Sequence, residues 1–357
     1  MFSKILSITV VLVSLFTYWY LWTISLTKIS ERHTCPYCYG ESYCSELHKN
    51  VFLIYNSLNA IAFNLLSVKN VYFANNGEYD VVIKKLGSKS KLAGLGEQMP
   101  IRDNTIDLKN ALMNPHRDFQ VCNNLTALHF LQEFNGKNRK NLWTIININA
   151  EPLLLELFNH KYFAVPRLIG YCGRAVIEQH SGNPLNSIEN FDWYKRAKVA
   201  KQLLKAAEQF TFGHAKFRLY LTDISPDNIA ISDDLVVTFV DLGHGILIDK
   251  SSAILVISGS HYTEPFNDDE YGFSRQEVCG SAISDHNVYA VCKLLLSVTA
   301  PWPMMRNGLL HSPPPELNAK DLFEHIEQCV YTTEKVSRFK LCAKIQQILD
   351  DIVVQVL

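Results

Sequence analysis

Hydrophobic positions along the chain recur with two periods, one typical of helices and one typical of strands. Residues 51–66 and residues 192–213 carry apolar side chains at helical spacing, so each stretch predicts an amphipathic helix. Two β-branched runs, 68–74 and 79–86, flank Asn75-Asn76-Gly77, which predicts a β-hairpin. The pattern therefore predicts an α+β protein.

Further elements of both kinds follow along the chain. The stretch from residue 87 to 141 is polar and rich in breakers, and it predicts an insertion that contains one helix. Helices are predicted near 124–134, from Ala150, after a cap at Ser284 or Asp285, and over the last forty residues, where the helical period ends in 345–357. Strands are predicted at 165–171 and 175–180.

Two short β-branched runs joined by a polar turn cover Leu219 to Gly243, and both carry an aspartate at their end. Asp223 precedes Asn228 by five residues, and Asp241 follows thirteen residues later. Phosphoryl transfer needs one carboxylate to orient the attacking hydroxyl, and an asparagine amide with a second carboxylate to hold Mg²⁺ or Mn²⁺. The spacing predicts Asp223 as catalytic, with Asn228 and Asp241 as metal ligands. The alternative is a hairpin whose aspartates only shape turns.

A candidate nucleotide-binding lysine lies in the second strand of the predicted hairpin. Lys84 ends the run Val-Val-Ile-Lys, which matches the strand whose lysine pairs with ATP phosphates. Such a lysine needs a helix glutamate as its partner, and Glu151 is the first choice, with Glu156 as the fallback. The alternatives are an exposed strand lysine and a solvated acid in a first helical turn.

The strand at 175–180 is followed by Ser-Gly-Asn-Pro, which breaks it. In a kinase-like arrangement, this strand and the Ser-Gly-Asn-Pro segment after it form the hinge that holds adenine. Ile177, Glu178 and Gln179 are therefore predicted to bind the cofactor, ATP.

The first thirty residues carry a membrane or secretion signal. Residues 5–26 contain no charged side chain, and 22 residues are enough to cross a hydrocarbon core as a helix. An uncleaved transmembrane or signal-anchor helix is predicted, with a cleaved signal as the alternative. The 357 residues are 48% hydrophobic and carry a net charge of −1, so nothing indicates a nucleic-acid partner.

Nine cysteines are present, and three of them, Cys35, Cys38 and Cys44, follow the apolar segment closely. In an oxidising lumen they would form a disulfide staple, with an odd cysteine left over and with pairings that the sequence does not give. The alternative is a zinc site made by these three cysteines and His48. A glycosylation sequon at Asn124 also suits a lumenal domain.

Several motifs together resemble one family. Cys35-Pro-Tyr-Cys-Tyr-Gly-Glu-Ser-Tyr-Cys, Ile169-Gly-Tyr-Cys-Gly, Asp285-His-Asn-Val-Tyr-Ala-Val-Cys and Gly308-Leu-Leu-His-Ser-Pro-Pro are similar to the divergent protein kinase family that includes the deleted-in-autism proteins. The resemblance implies a two-lobed protein kinase-like fold in the Golgi or endoplasmic reticulum, anchored in the membrane with a lumenal domain, or secreted. It also implies that Asp285 anchors a C-lobe helix. The expected division is an anchor at 1–27, a Cys-rich stem at 28–50, an N-lobe at 51–180 and a C-lobe at 181–357.

The chain departs from kinase patterns at several positions. The three glycine positions of a phosphate-covering loop fall on Asn64, Leu66 and Lys69, and Ser225 stands where a lysine is usual. The leading hypothesis is ATP-dependent phosphoryl transfer to a lumenal or secreted protein acceptor. The alternatives are a pseudokinase that acts as a secreted ligand or scaffold, and an enzyme that transfers a nucleotidyl group.

Overall fold

A computed structural model describes the chain in eight longer stretches and a few short ones. They are residues 10–15, 25–54, 70–85, 87, 94–96, 99–100, 105–114, 116–253, 258–264, 274–295, 308–331 and 337–354. These residues form two compact units. Unit 1 comprises 1–106, 137–148 and 167–180, and unit 2 comprises 107–136, 149–166 and 181–357.

The strands are short, and most belong to antiparallel pairs. In chain order they are β1 (Phe52–Leu53), β2 (Val71–Asn75), β3 (Asp80–Lys85), β4 (Phe119–Val121), β5 (Leu168–Cys172), β6 (Ala175–Gln179), β7 (Asn183–Pro184), β8 (Phe217–Leu221), β9 (Ile229–Ile231), β10 (Val237–Phe239), β11 (Gly245–Asp249), β12 (Ser258–His261) and β13 (Ser281–Ser284).

The α-helices range from four to seventeen residues. They are α1 (Leu26–Ser30), α2 (Cys44–Asn50), α3 (Leu108–Leu112), α4 (Asn124–Gln132), α5 (Arg139–Ile148), α6 (Glu151–Leu157), α7 (Trp193–Glu208), α8 (Lys250–Ala253), α9 (Arg275–Cys279), α10 (His286–Leu295), α11 (Lys320–Tyr331) and α12 (Arg338–Val354).

Unit 1 is built on a five-stranded sheet in the order β1-β2-β3-β6-β5. The predicted hairpin is confirmed, because β2 and β3 pair antiparallel with Asn75 opposite Asp80. Its turn is fixed locally, since the Asn76 side chain accepts hydrogen bonds from the backbone N–H groups of Glu78 and Tyr79, both at 3.0 Å. The helix predicted over 51–66 is wrong at its start, where β1 pairs with β2, and its residues 55–66 lie outside the described part.

The Cys-rich segment packs on one face of this sheet. Apolar side chains of α1 and α2 join those of alternate strand residues in one buried cluster, whose members include Leu47, Val81, Ile83 and Ile177. The Cys-rich segment approaches the backbone closely at Gly173. A Cβ atom on this residue would lie 2.1 Å from the Ser30 carbonyl oxygen, and its φ is +59°. Only glycine fits there.

Four disulfides link eight of the nine cysteines, and the buried Cys342 is free. This confirms the disulfide prediction and its odd cysteine. The zinc alternative is wrong, because its thiols are oxidised: Cys35 is bonded to Cys38, and Cys44 to Cys172. The other two bonds, Cys122–Cys279 and Cys292–Cys329, lie in unit 2.

Unit 2 surrounds the buried helix α10 with helices and small sheets. Helix α7 packs against α10 and α12, and α11 packs against both α10 and α12. The sheets have the orders β10-β9-β7, β4-β11-β8 and β12-β13. Within the second sheet, β4 runs parallel to β11, while β8 runs antiparallel to it.

The predicted membrane anchor falls mainly on residues that the structure does not describe. Of residues 5–26, only 10–15, 25 and 26 are described. Among the helices in the described ranges, none has the length and apolar character needed to cross a membrane. The division into anchor, stem, N-lobe and C-lobe stays a prediction.

Candidate functional site

The loop after β8 holds the predicted catalytic aspartate and the first metal ligand together. Pro226 opens a single helical turn that ends at Asn228, so the chain folds back within five residues. The Asn228 amide nitrogen then donates to the Asp223 carboxylate oxygen Oδ2 at 2.9 Å and to the Asp223 carbonyl oxygen at 3.2 Å. These two bonds fix the orientation of both side chains.

Pairing of β9 with β10 brings the second carboxylate to the same place. The two strands are antiparallel, with Phe239 opposite Ile229, and beyond them the Val240 N–H donates to the Asn228 carbonyl at 2.9 Å. Asp241 directly follows Val240 and therefore lies next to this backbone contact with Asn228. Its Oδ1 accepts the Gly243 N–H at 3.0 Å, which closes a tight turn.

The start of α6 supports the Asp241 turn. Glu151, which is 1% exposed, accepts the Leu242 N–H at 3.4 Å, and its own N–H donates to the Asn149 side-chain oxygen at 2.8 Å. A Cβ at Gly243 would lie 2.8 Å from the Asn149 side-chain nitrogen, so a larger residue there would displace the side chain that accepts the Glu151 N–H. Glu156, the fallback residue, is half-buried on the same helix.

Burial raises the pKa of Asp223 above its ordinary value. Desolvation is the main cause, and the Asp241 and Asp227 carboxylates raise the pKa further. The hydrogen bond from Asn228 and the charge of His244 act in the opposite direction. Asp223 is thus a stronger proton acceptor than a solvated aspartate, as a general base requires.

The first turn of α10 clamps the strand that leads to Asp223. The Asn287 amide accepts the Leu221 N–H at 2.9 Å and donates to the Leu219 carbonyl at 2.8 Å. The His286 Nε2–H donates to the Leu221 carbonyl at 3.0 Å. Both residues stand in the motif that begins at Asp285, and neither has a role predicted from the sequence. The available signal was two adjacent polar residues at the start of an otherwise apolar helix.

Asp285 fixes the start of α10 through a buried ion pair. Its carboxylate accepts from Arg338 of α12 at 2.7 Å, with side chains that are 2% and 1% exposed, and from the Thr263 N–H at 2.8 Å. The Arg338 guanidinium also lies 5.0 Å from the ring centre of Tyr289. In unit 2, then, Asp285 ties α10 to α12.

Unit 1 carries the predicted nucleotide-binding residues. Lys84 Nζ lies 3.0 Å from the Glu178 carboxylate, and both residues are buried. The register explains this pair: β3 lies against β6 with Val82 opposite Glu178, so Lys84 reaches Glu178 diagonally on the same face. The predicted ion pair between Lys84 and Glu151 involves residues of different units and stays a prediction.

The three predicted hinge residues lie at the end of β6, between β3 and β5. Ile177 is paired with Ile83 and with Gly170, and its side chain points into the apolar cluster under the sheet. The Gln179 N–H donates to the Arg167 carbonyl at 2.9 Å. Adenine binding by Ile177, Glu178 and Gln179 stays a prediction.

The donor set in unit 2 fits a hard divalent cation. Both hydrogen bonds of the Asn228 amide use its nitrogen, which turns its oxygen Oδ1 away from Asp223. Asp241 uses Oδ1 for the Gly243 N–H, so Oδ2 is the second oxygen donor. Amide and carboxylate oxygens are ligands that Mg²⁺ and Mn²⁺ accept. Among the residues described, no group of three or more His, Cys, Asp or Glu side chains forms a metal cluster.

Comparison with known proteins identifies the family of the chain. A family model described as the protein-kinase domain of FAM69 matches residues 142–332. Human divergent protein kinase domain 2A is 30% identical over 90% of this chain and 87% of its own length. The chain belongs to this divergent protein kinase family. The mouse protein of the same name is 30% identical over 89% of this chain and 86% of its own.

Membership confirms the resemblance drawn from the motifs and the kinase-like fold of mixed helices and sheets. A solved structure of vaccinia related kinase 3 covers 79% of this chain and 83% of its own, with 15% identity and a TM-score of 0.35. Family membership rests on the sequence matches.

Proposed function

We propose that this member of the divergent protein kinase family transfers a phosphoryl group from ATP to a hydroxyl of a protein in the secretory pathway. The observation that carries the proposal is the set of Asp223, Asn228 and Asp241. One side-chain hydrogen bond joins the first two, and one backbone hydrogen bond places the third beside them. An acid, an amide and a second acid in this order are what phosphoryl transfer needs from a protein.

Each residue has a separate role in this proposal. Asp223 would accept the proton of the acceptor hydroxyl, and its raised pKa suits that task. Asn228 and Asp241 would hold Mg²⁺ or Mn²⁺, which neutralises charge on the phosphates when it is bound. Glu151 would keep the Asp241 turn in place through the Leu242 N–H. The sequence assigns Lys84 to the α- and β-phosphates.

Nucleotide binding is the first test. The full chain is melted with and without ATP and Mg²⁺ or Mn²⁺, as wild type, Asp241→Asn and Asp234→Asn. Asp234 lies exposed in the turn between β9 and β10, so its substitution makes the same charge change on the same hairpin. A ligand at 100 times its dissociation constant stabilises by about 2.7 kcal/mol. We expect this shift in wild type and Asp234→Asn, and its loss in Asp241→Asn.

Transfer itself is tested with labelled ATP. Phosphoryl transfer puts the γ-phosphate label on protein, whereas nucleotidyl transfer puts the α-phosphate label there. Asp223→Asn should abolish γ-labelling and keep the metal-dependent melting shift, because it removes the proton acceptor and leaves both metal ligands. A folded wild type that shows no shift at millimolar ATP would instead support the pseudokinase ligand or scaffold.

We also infer a lumenal location, with residues 5–26 as the membrane anchor. Four disulfides support an oxidising compartment. Asn124, the sequon residue, is exposed at the first position of α4. Expression in cells should give a glycosylated, membrane-bound protein that loses mass on glycosidase treatment, while Asn124→Gln should show no such loss. Release into the medium without the first 27 residues would favour cleavage and secretion.

A further inference from the structure

The motif Cys35-Pro-Tyr-Cys38 forms a disulfide that the phosphoryl-transfer proposal does not use. Its two cysteines differ in accessibility: Cys35 is half-buried at the end of a short helical turn, whereas Cys38 is 1% exposed. Thiol–disulfide exchange in a C-x-x-C motif needs this asymmetry, since an incoming thiol must reach one sulfur while the other serves as the internal leaving group. A purely structural bond has no need of it.

The segment around the motif is held by contacts other than the sulfur–sulfur bond. Arg32 Nε lies 2.5 Å from the Glu41 carboxylate, which closes the base of the loop. The Tyr39 N–H donates to the Gly173 carbonyl at 2.7 Å, and the Gly173 N–H donates to the Gly40 carbonyl at 2.8 Å. Tyr39 itself is buried at 2% exposure. Opening the disulfide therefore leaves the loop anchored at both ends.

The neighbouring disulfide constrains the unfolded chain more strongly than the first one does. Cys44–Cys172 spans 128 residues and ties the same segment to β5, while Cys35–Cys38 spans three. The constraint that a disulfide places on the unfolded chain grows with the length of the loop it closes. Reduction of the short bond thus removes little stability, and reduction of the long one removes more.

Positive side chains border the motif. Arg32, which pairs with Glu41, precedes it in an exposed turn, and Lys140 Nζ lies 5.9 Å from the ring centre of Tyr37, a residue between the two cysteines. A cation in this surrounding would favour the thiolate that leaves when the disulfide opens. The Tyr37 hydroxyl donates to the Pro100 carbonyl at 2.5 Å, which holds this ring in position.

We propose that Cys35–Cys38 is a redox-active disulfide that exchanges with thiols, with Cys35 as the sulfur under attack. A thiolate of the partner attacks Cys35 Sγ, the Cys35–Cys38 bond breaks, and its electron pair leaves on Cys38 Sγ, which takes up a proton. A second thiol of the partner then attacks the partner sulfur of the mixed disulfide and releases Cys35 as a thiol. Overall, two partner thiols become one disulfide, and the protein disulfide becomes two thiols. The substrate class is a pair of thiols, either a protein dithiol or two molecules of glutathione.

The test uses the folded full chain in glutathione buffers of graded ratio of reduced to oxidised form. After acid quenching and alkylation, mass spectrometry gives the reduced fraction of each disulfide. We expect Cys35–Cys38 to be reduced in buffers that leave Cys44–Cys172 oxidised. Reduction of both bonds in the same buffers, or reduction of the first only under denaturing conditions, would overturn the proposal.

Single-cysteine variants identify the attacked sulfur. Cys38→Ser leaves Cys35 as a thiol and should form a mixed disulfide with oxidised glutathione in the folded state. Cys35→Ser leaves the buried Cys38 and should not. A preference for Cys38, or no adduct in either variant, would contradict the assignment. ATP-dependent melting shifts should be unchanged in both variants, so failure of the redox proposal and failure of the phosphoryl-transfer proposal remain distinguishable.

Discussion

Protonation of His286 should make the protein sensitive to acid. The side chain is 1% exposed in the first turn of α10, and its Nε2–H donates to the Leu221 carbonyl. Burial lowers its pKa from 6.5 to about 4, with smaller contributions from the charges of His261 and Arg338, while the hydrogen bond to Leu221 acts the other way. The fold therefore holds this histidine neutral where an unfolded chain would protonate it.

The sign and size of the effect follow from the two pKa values. Because the folded pKa is the lower one, the unfolded state binds the extra proton, and stability is complete above the unfolded value of 6.5 and falls as the pH drops towards 4. The loss relative to neutral pH is about 2 kcal/mol at pH 5 and approaches about 3 kcal/mol below both values. Burial also lowers the pKa of His214, whose side chain is only half-buried.

The assay is denaturation of wild type and His286→Gln at a series of pH values between about 7.5 and 5. Glutamine can donate to the Leu221 carbonyl and cannot take up a proton in this range. Carboxylates and other histidines titrate in both proteins, so their contributions to the pH dependence of stability cancel in the comparison. We expect the variant to be the less stable protein at neutral pH and to lose about 2 kcal/mol less than wild type on acidification. His116→Gln, at an exposed position of unit 2, should follow wild type. Parallel losses in wild type and His286→Gln would refute the reasoning.

Three further predictions concern charge and burial. Asp223→Asn should raise the melting temperature at neutral pH, because the raised pKa of Asp223 means that the folded state disfavours its ionised form. Melts at low pH should show no such gain, since below the unfolded pKa of aspartate the side chain is neutral in both states. Arg338→Met should lower the free energy of unfolding by about 3–5 kcal/mol in chemical denaturation, because it leaves Asp285 charged and buried. Lys201→Met breaks a more exposed pair with Asp350 and should lower it by about 1 kcal/mol or less. Asn287→Leu should destabilise the protein and weaken metal-dependent ATP binding together, because the hydrogen bonds to β8 are lost; a melt with and without ATP checks both.

Local signals explain what sequence analysis predicted well. The β2–β3 hairpin depends on an asparagine and a glycine in its own turn, and α4 begins at the Asn123 cap, so both could be read from neighbouring residues. The spacing of Asp223 and Asn228 is likewise a property of one loop. Such features need no knowledge of distant partners.

Elements that depend on distant partners were missed. Helix α5 contains Thr144, Ile145 and Ile146, which are β-branched and poor helix formers, and burial of its apolar face stabilises it instead. Strand β4 has three residues and pairs with β11, more than 120 positions later in the chain. The disulfide Cys44–Cys172 has a similar separation. No local pattern encodes these pairings.

The pair between Lys84 and Glu178 shows the same limit at the candidate site. Motif order predicts Glu151 as a partner of Lys84, and that pair stays a prediction, whereas the pair with Glu178 follows from the register between β3 and β6. Register follows from which residues face the apolar cluster: Val81 and Ile83 point into it, which places Lys84 on the other face with Glu178. The alternation was visible in the sequence, but the identity of the neighbouring strand was not.

The strand that leads to Asp223 is also the strand that α10 holds, which joins stability and site geometry. Leu221 receives a hydrogen bond from His286 at its carbonyl and donates one to Asn287 from its N–H, two residues before Asp223. A proton on His286 would add a positive charge to a buried site that the Arg338 charge already disfavours, and the same ring is hydrogen-bonded to the Leu221 carbonyl. Because the Asn228 amide is hydrogen-bonded to Asp223, a shift of Leu221 would reach the proposed metal ligands as well. Acid should therefore weaken metal-dependent nucleotide binding before it unfolds the protein.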